Sequence, residues 1–553
     1  MEHPFGWLSL LPSLVAVAMA IATRRVILSM LAAIFVGALI TNHGNFFPAL
    51  SEALETHLWK TFAGEDRLRV FTFTIFMGAM IGVIHRSGGM LGLINVISVW
   101  AKNRRRGQVV TWFLGLLVFF DDYANTVLLG STLQPLCKRL KISKEKLAYL
   151  VDSTAAPVSG LALISTWVAG EISFIEDGLK ALDTDEKLSA FELFLGSLPY
   201  RFYALWCLVF VLLIGLTKRD FGPMVKAERL AIEGLEGKHE QDVNQQDQDV
   251  SPSGWWNAII PVAATVVGVL WLLMLTGKQS LAADGVDLAT AELREIFGAA
   301  DSYYSLLWGT AMGLSVSIVL AMSQRLLNWQ QSCDAAAHGA KLMLPAIAVL
   351  WLASTLSSMT GNKDVDGNKG QEPYEISYRL YTGEYLASLV PSESEESDAI
   401  LRVILPSLVF LLAGGISFAT GTSWGTMAIV MPVAIPLAYP VISSDPQWAS
   451  SPILICTIGS VLAGSIFGDH CSPISDTTVL SSQSCGCEHT AHVWTQLPYA
   501  LTVGLITVVF GTLPVGLGVS VWLLLPLGVI AMVFVLLLAG KVVSADDVGH
   551  SEG

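Results

Sequence analysis

Apolar residues in this chain come in long blocks, not in the alternation of a half-buried strand. From Trp7 to Gly540 the blocks run for roughly 17 to 25 residues, the length that carries a helix across about 30 Å of hydrocarbon. Inside lipid the backbone must satisfy its own polar groups, and a helix does so. Eleven crossings are expected, at about 7–23, 26–42, 70–85, 147–169, 193–216, 255–276, 302–323, 334–359, 451–482, 495–517 and 518–540. Residues 88–101 read as a helix lying at the interface.

Two stretches break the pattern. Lys102–Arg106 (KNRRR) and Lys138–Lys146 (KRLKISKEK) are basic, and basic loops mark the cytoplasmic side. Between them lie only about 30 mostly apolar residues, 108–137, interrupted by FFDDYAN at 119–125. One crossing would strand a basic loop outside, so the stretch reads as a re-entrant hairpin opening to the cytoplasm. Residues 400–440 repeat the design around FATGTSW, 418–424, with acidic PSESEESD before them. That hairpin is expected to open outward, the N-terminus to lie outside and the C-terminus inside. Arg24 and Arg25 follow the first apolar block and Met1–Gly6 carries no base, so a cleaved signal peptide is not expected.

The two halves echo one another. STLQPL (131–136) matches AIVMPV (428–433) at an offset of 297, PVSGLALIST (157–166) matches PISDTTVLSS (473–482) at 316, and LPY (198–200) recurs at 497–499, at 299. With one hairpin opening inward and the other outward, the repeats are inverted. Inverted repeats with broken helices characterise secondary transporters, whose sites lie near the midplane. The breaks are expected near Pro157 and Pro473. The expected fold is therefore an all-α polytopic membrane protein of about 11 transmembrane helices plus two re-entrant hairpins. Its parts are a first repeat over 1–216, a cytoplasmic connector over 217–254, a second repeat over 255–517, and an extra helix with a tail over 518–553.

Composition agrees with the membrane reading: 53% of residues are hydrophobic and 14% charged, against about 25% charged in soluble domains. The net charge of −14 points to no nucleic-acid partner. Much of it is expected in solvated loops, with six acids against two bases over 171–190 and nine against three over 361–398. The seven cysteines are scattered and imply no disulfide framework. No Walker motif occurs, so the chain shows no ATP-driven machinery, and no nucleophile–base constellation suggests an enzyme.

Carboxylates inside spans are costly and read as functional candidates. Asp121 and Asp122 sit at the first hairpin tip with Asn125 and Thr126; Asp152 precedes the first break; Asp469 and Asp476 flank the second. Ser472, Ser475, Thr477 and Thr478 crowd around Asp469 and Asp476, and Thr420, Gly421, Thr422 and Ser423 form the second tip. Carboxylates, hydroxyls and freed carbonyls are the oxygens a hard cation such as sodium takes. Helix capping and turn chemistry are the competing uses of the same groups. Arg201 has three open readings: neutralising a carboxylate, holding an anionic solute, or snorkelling outward. Cys485, Cys487, His489 and His492 have metal-ligand spacing but no surrounding domain, so a zinc site is not expected. Gly78 and Gly82 form a GxxxG suited to helix packing.

FFDDYAN, FATGTSWGTMAIVMP and above all GDHCSPISDTTVLSS followed by QLPYAL resemble the signature segments of the NhaC-type sodium/proton antiporter family. The resemblance covers roughly 70–216 and 334–517, and extends to the wider ion-transporter superfamily of paired hairpins in inverted repeats. It implies that Asp122, Asn125, Thr420 to Ser423, Asp469, Ser472, Ser475 and Asp476 surround the ion path. Sodium is expected on Asp469 and Asp476, with Na+, H+ and the lipid bilayer as partners and no cofactor. The family also holds carriers of small organic solutes, so a Na+- or H+-coupled carrier of an amino acid or a hydroxy acid stays open, as does a homo-oligomer. An ion channel is a third reading, disfavoured by length and inverted repeats. The expected location is the plasma (inner) membrane.

Overall fold

A computed structural model describes residues 3–23, 25–182, 188–234, 251–283, 285–286, 296, 299–360, 376–382, 385, 395–443, 447–473 and 475–543. The helices that build the molecule are, in chain order, α1 (Leu11–Thr23), α2 (Val26–Thr41), α3 (Glu65–Arg86) and α4 (Gly89–Ser98). Next come α5 (Arg104–Leu117), α6 (Asp122–Arg139), α7 (Lys144–Leu161), α8 (Val168–Lys180), α9 (Ala190–Ser197) and α10 (Phe202–Thr217). Strand β1 (Arg219–Asp220) leads to α11 (Pro223–Glu233), α12 (Trp256–Ala283), α13 (Ser302–Ser323), α14 (Trp329–Leu342) and α15 (Leu344–Thr360). The chain ends with α16 (Glu395–Thr420), α17 (Ser423–Ile442), α18 (Pro452–Cys471), α19 (Asp476–Ser484), α20 (His489–Ile506), α21 (Val521–Ala539) and β2 (Lys541–Val542).

Every expected crossing contains a helix. Among the described residues eight helices are long and apolar enough to span, or up to ten if two bent pairs each count as one. Both arms of the second hairpin, α16 and α17, are among the eight. Helix α7 is not, because Lys144, Glu145, Lys146 and Asp152 interrupt its apolar surface. A short helix, α4, occupies the stretch read as interfacial.

Two expectations need correction. Residues 171–190 are not simply a solvated loop: α8 fills 168–180 and buries Glu171 and Asp177, which pair with Arg201 and Arg67. The connector 217–254 begins as structure: Glu228 of α11 pairs with Arg104, and Asp220 of β1 pairs with Lys146 and accepts from the Tyr499 hydroxyl at 2.6 Å. The fold is all-α as expected, with one addition: β1 and β2 form a two-residue antiparallel ribbon joining connector to tail. Most of 361–398 lies outside the described residues.

The first break is also displaced. Helix α7 runs through Pro157 and stops at Leu161; the chain restarts at Val168. Proline removes the N–H that would bond the carbonyl four residues back. Here the Cys207 thiol donates to that carbonyl, Ser153, at 3.6 Å, so the helix survives. The second break falls at 472–475, around Pro473 as expected. Helix ends therefore correspond at an offset of 310, and PVSGLALIST and PISDTTVLSS are not structural equivalents. The two LPY segments are placed differently: α9 and α10 bend by 42° just after the first, while the second lies inside α20.

The two halves pack reciprocally. Helix α8 lies against α17, and its counterpart α19 lies against α6; α10 packs on α18, and α20 on α7. Exchange of partners between corresponding helices is what a two-fold relation between halves produces. Helices α3, α12, α13 and α14 form a flanking group. There the GxxxG works as packing: a Cβ at Gly78 would sit 2.7 Å from the Gly339 carbonyl oxygen, and one at Gly82 would collide with the Ala335 carbonyl. Gly82→Val is expected to cost about 1–3 kcal/mol through overpacking. A lowered denaturation midpoint of detergent-solubilised protein checks it; an unchanged midpoint would mean the contact is not tight.

Candidate functional site

The second break joins three elements. Gly464 and Gly468 of α18 face the Phe410 and Gly414 carbonyls of α16, so close that side chains would not fit. This crossing brings the second hairpin tip beside the break. Ser472 Oγ donates to the Phe418 carbonyl at 2.8 Å, and Ser417 and Ser423 donate to the Ser465 carbonyl at 2.6 and 3.3 Å. Helix α19 restarts with Ser475 as its cap, accepting from Thr478 N–H at 3.3 Å. Asp469 Oδ2 accepts from Thr477 Oγ1 at 2.7 Å, and Ser475 and Thr477 hydroxyls lie 3.0 Å apart. Asp469, Ser472, Ser475 and Thr477 are all buried. Asp476 is the first residue of α19; its side chain lies outside the described residues.

The tip residues themselves mostly perform turn chemistry. Gly421 has φ +71, the left-handed region that favours glycine. Thr422 caps α17 by accepting from Gly425 N–H at 3.3 Å, and Thr420 donates back to the Ile416 carbonyl at 2.8 Å.

At the first tip, Asn125 Nδ2 donates to the Gly115 and Val118 carbonyls at 2.8 and 3.2 Å, closing the end of α5. Thr166, in the first break, donates through Oγ1 to Asp121 Oδ2 at 3.1 Å and through N–H to the Phe120 carbonyl at 2.9 Å. Each break thus latches its own hairpin tip. Asp122 is buried at the start of α6. Asn125 Oδ1 and Thr126 Oγ1 are buried without a hydrogen-bond partner among the described residues.

The predicted constellation is therefore two clusters, not one. They are linked by α19, whose Thr477 meets Asp469 and whose Ser484 donates to the Thr126 carbonyl at 3.0 Å. Seven residues of helix separate those points by about 10 Å.

Between the clusters stands a residue to which the sequence reading assigned no ion. Asp152 is fully buried, and its Oδ2 accepts from Gln496 Nε2 at 2.6 Å and Thr478 Oγ1 at 3.2 Å. His492 Nε2 lies 3.5 Å from the same oxygen. Gln496 also donates to the His470 carbonyl at 3.0 Å, and His470 Nδ1 pairs with the Tyr203 hydroxyl at 3.0 Å. Thr478 Oγ1 lies 3.3 Å from the Asp469 carbonyl, so one hydroxyl touches both acidic residues. Asp152 Oδ1 has no hydrogen-bond partner among the described residues. His470 and Gln496 were not singled out, and His492 only for its metal-ligand spacing, because the group forms from helices far apart along the chain, 344 residues between Asp152 and Gln496.

The Cys/His spacing is used otherwise. His489 donates to the Pro473 carbonyl at 2.6 Å, closing the break, and Cys485 and Cys487 are buried in packing. No group of three metal-binding side chains occurs among the described residues.

Arg201 neutralises a carboxylate. At the bend between α9 and α10, its guanidinium meets Glu171 Oε2 at 2.6 Å and donates to the Gly160 carbonyl and Ser197 Oγ. Gly160 is in the last turn of α7, where carbonyls lack helical partners, and Glu171 is in the first turn of α8, where negative charge is favoured. One cation thus closes both sides of the first break. Nearby, Arg67 pairs with Asp177, which also accepts from Ser354 Oγ at 3.1 Å.

A family model described as the Na+/H+ antiporter family matches residues 158–364 and 382–513, including the whole of the second break. The chain belongs to that family. Over 510 residues this family member is 30% identical to an uncharacterized protein of Haemophilus influenzae, covering 91% of the chain and 89% of that protein. Over 118 residues it is 35% identical to the malate-2H(+)/Na(+)-lactate antiporter of Bacillus subtilis, a match covering 20% of the chain and 23% of that antiporter. Its fold is similar to the solved YdaH transporter of Alcanivorax borkumensis, with a TM-score of 0.56 at 16% identity, covering 92% of the chain and 99% of that structure. The protein is a multi-pass membrane transporter of the antiporter family.

Proposed function

We propose that the protein exchanges Na+ for H+ by alternating access, as an NhaC-type antiporter of the plasma (inner) membrane. The observation that carries this reading is the buried Asp469 at a helix break, with Thr477, Ser475 and Ser472 hydroxyls around it. Water-poor surroundings favour a protonated carboxyl, and a bound cation favours the carboxylate. One group cannot hold both, so each ion displaces the other. Rocking of one half against the other then moves the occupied site across the membrane. The buried Asp152 carboxylate lies one hydroxyl, Thr478, from the Asp469 backbone, with His492 beside it, and adds a second buried negative charge near the break. A second reading is a Na+- or H+-coupled carrier of a small hydroxy acid, favoured by the local match to the malate/lactate antiporter.

Proteoliposomes test the first reading. Vesicles loaded with sodium and diluted into sodium-free buffer should acidify inside, without added solute. The apparent sodium requirement should rise up to about tenfold per pH unit below the pKa of the shared carboxyl. Acidification only when malate or lactate is present would favour the second reading. A sodium requirement constant over roughly pH 6 to 9 would show that the two cations bind separately.

A further inference from the structure

The face carrying the two basic loops is the cytoplasmic one by the positive-inside rule. Helix α11 is clamped to it. Glu228 pairs with Arg104 and accepts from Ser143 N–H at 2.8 Å, and Lys141 Nζ donates to the Ile232 carbonyl at 3.1 Å. Lys146 pairs with Asp220. Buried acids thus hold two of these cations, Arg104 and Lys146, and a backbone carbonyl holds Lys141.

Three cations on the same side are arranged differently. Between α11 and the end of α21 opens a cavity of about 510 Å³, lined by Lys226, Arg229 and Lys541, with Glu233 as its only acid and Phe221 and Ala539 among its apolar walls. All three cations are exposed, and none makes an ion pair among the described residues. The β1–β2 ribbon keeps Lys541 here by pairing it with Asp220. Directly along α21 the surface is apolar and open: Ile530, Phe534, Leu537 and Leu538 are 57–73% exposed. An apolar strip that ends at a cationic hollow matches one kind of ligand, with acyl chains on the strip and a negative headgroup in the hollow.

We propose that this cavity binds the headgroup of an anionic phospholipid from the cytoplasmic leaflet. The site is separate from the ion path and independent of which ions are exchanged. Its lever is α11, whose Glu228 grips Arg104 at the start of α5 and the Ser143 amide just before α7, so it touches both chain ends of the first hairpin. A lipid seated on Lys226 and Arg229 braces α11 against the hairpin base.

The test uses the full-length protein in nanodiscs of phosphatidylcholine with graded phosphatidylglycerol, and counts retained lipids by native mass spectrometry. The wild type should retain phosphatidylglycerol in preference to phosphatidylcholine. Each of Lys226→Gln, Arg229→Gln and Lys541→Gln should weaken retention about fivefold, and the triple variant should lose the preference. Lys226→Arg should keep it, which separates lost charge from damaged structure, and the single variants carry the test if the triple variant does not fold. Unchanged retention in all the glutamine variants would overturn the proposal. Displacement of the lipid by millimolar inorganic phosphate would overturn it too, marking a free-phosphate site.

Discussion

Asp469→Asn is expected to abolish sodium-dependent proton movement while the protein still inserts and folds. Asparagine keeps the size of aspartate and can still accept from Thr477, so the packing of the break survives. What disappears is the negative charge. A sodium ion in a site of low dielectric then faces only neutral oxygens, and the group can no longer trade a proton for it. The loss in apparent sodium affinity should be about a hundredfold or more, since removing a charged partner from a buried site costs several kcal/mol. Thr477→Val should act in the same direction and less strongly, because it removes one neutral ligand. Asp476→Asn carries the same expectation as Asp469→Asn on its position alone. Fluorescence of an internal pH dye in proteoliposomes reads all three variants. Wild-type exchange in Asp469→Asn would take that carboxylate out of the ion path.

Arg201→Ala should destabilise the protein by about 3–5 kcal/mol. Without the guanidinium, Glu171 is left buried beside an uncapped end of α7, with the Gly160 carbonyl unpaired. Arg201→Met combined with Glu171→Leu should recover most of the loss, because two apolar groups leave no buried charge behind. Denaturation of the purified variants measures both steps. A folded Arg201→Gln protein of wild-type stability that had lost solute uptake would restore the anion-binding reading of this residue.

Much of the architecture was legible in the sequence because the bilayer is an undemanding judge. It asks only for length and apolarity, and those are local properties. The long apolar blocks, the polar tips FFDDYAN and FATGTSW, and the break at Pro473 are each readable within a window of a few dozen residues. Packing glycines were legible for the same reason: Gly78 and Gly82 are one turn apart and offer a helix a groove.

Pro157 marks the limit of that reading. A proline in a span predicts a break, yet α7 runs through Pro157. A thiol from α10 fills the missing bond, so the chain breaks some residues later, where Arg201 and Glu171 can hold both ends. Acids over 171–190 read as loop because charge predicts exposure; two of them are buried because Arg67 and Arg201 arrive from elsewhere in the chain. Asp152 shows the same thing at the site. Alone on α7 it is one polar residue in an apolar run, and only the reciprocal packing of the halves brings Gln496, Thr478, His470 and His492 around it. The sequence by itself determined which blocks would enter the membrane and that a helix would fail around Pro473. The tertiary structure decided which buried charges meet, because a charge in low dielectric is tolerated only beside its partner, and here those partners lie up to hundreds of residues away.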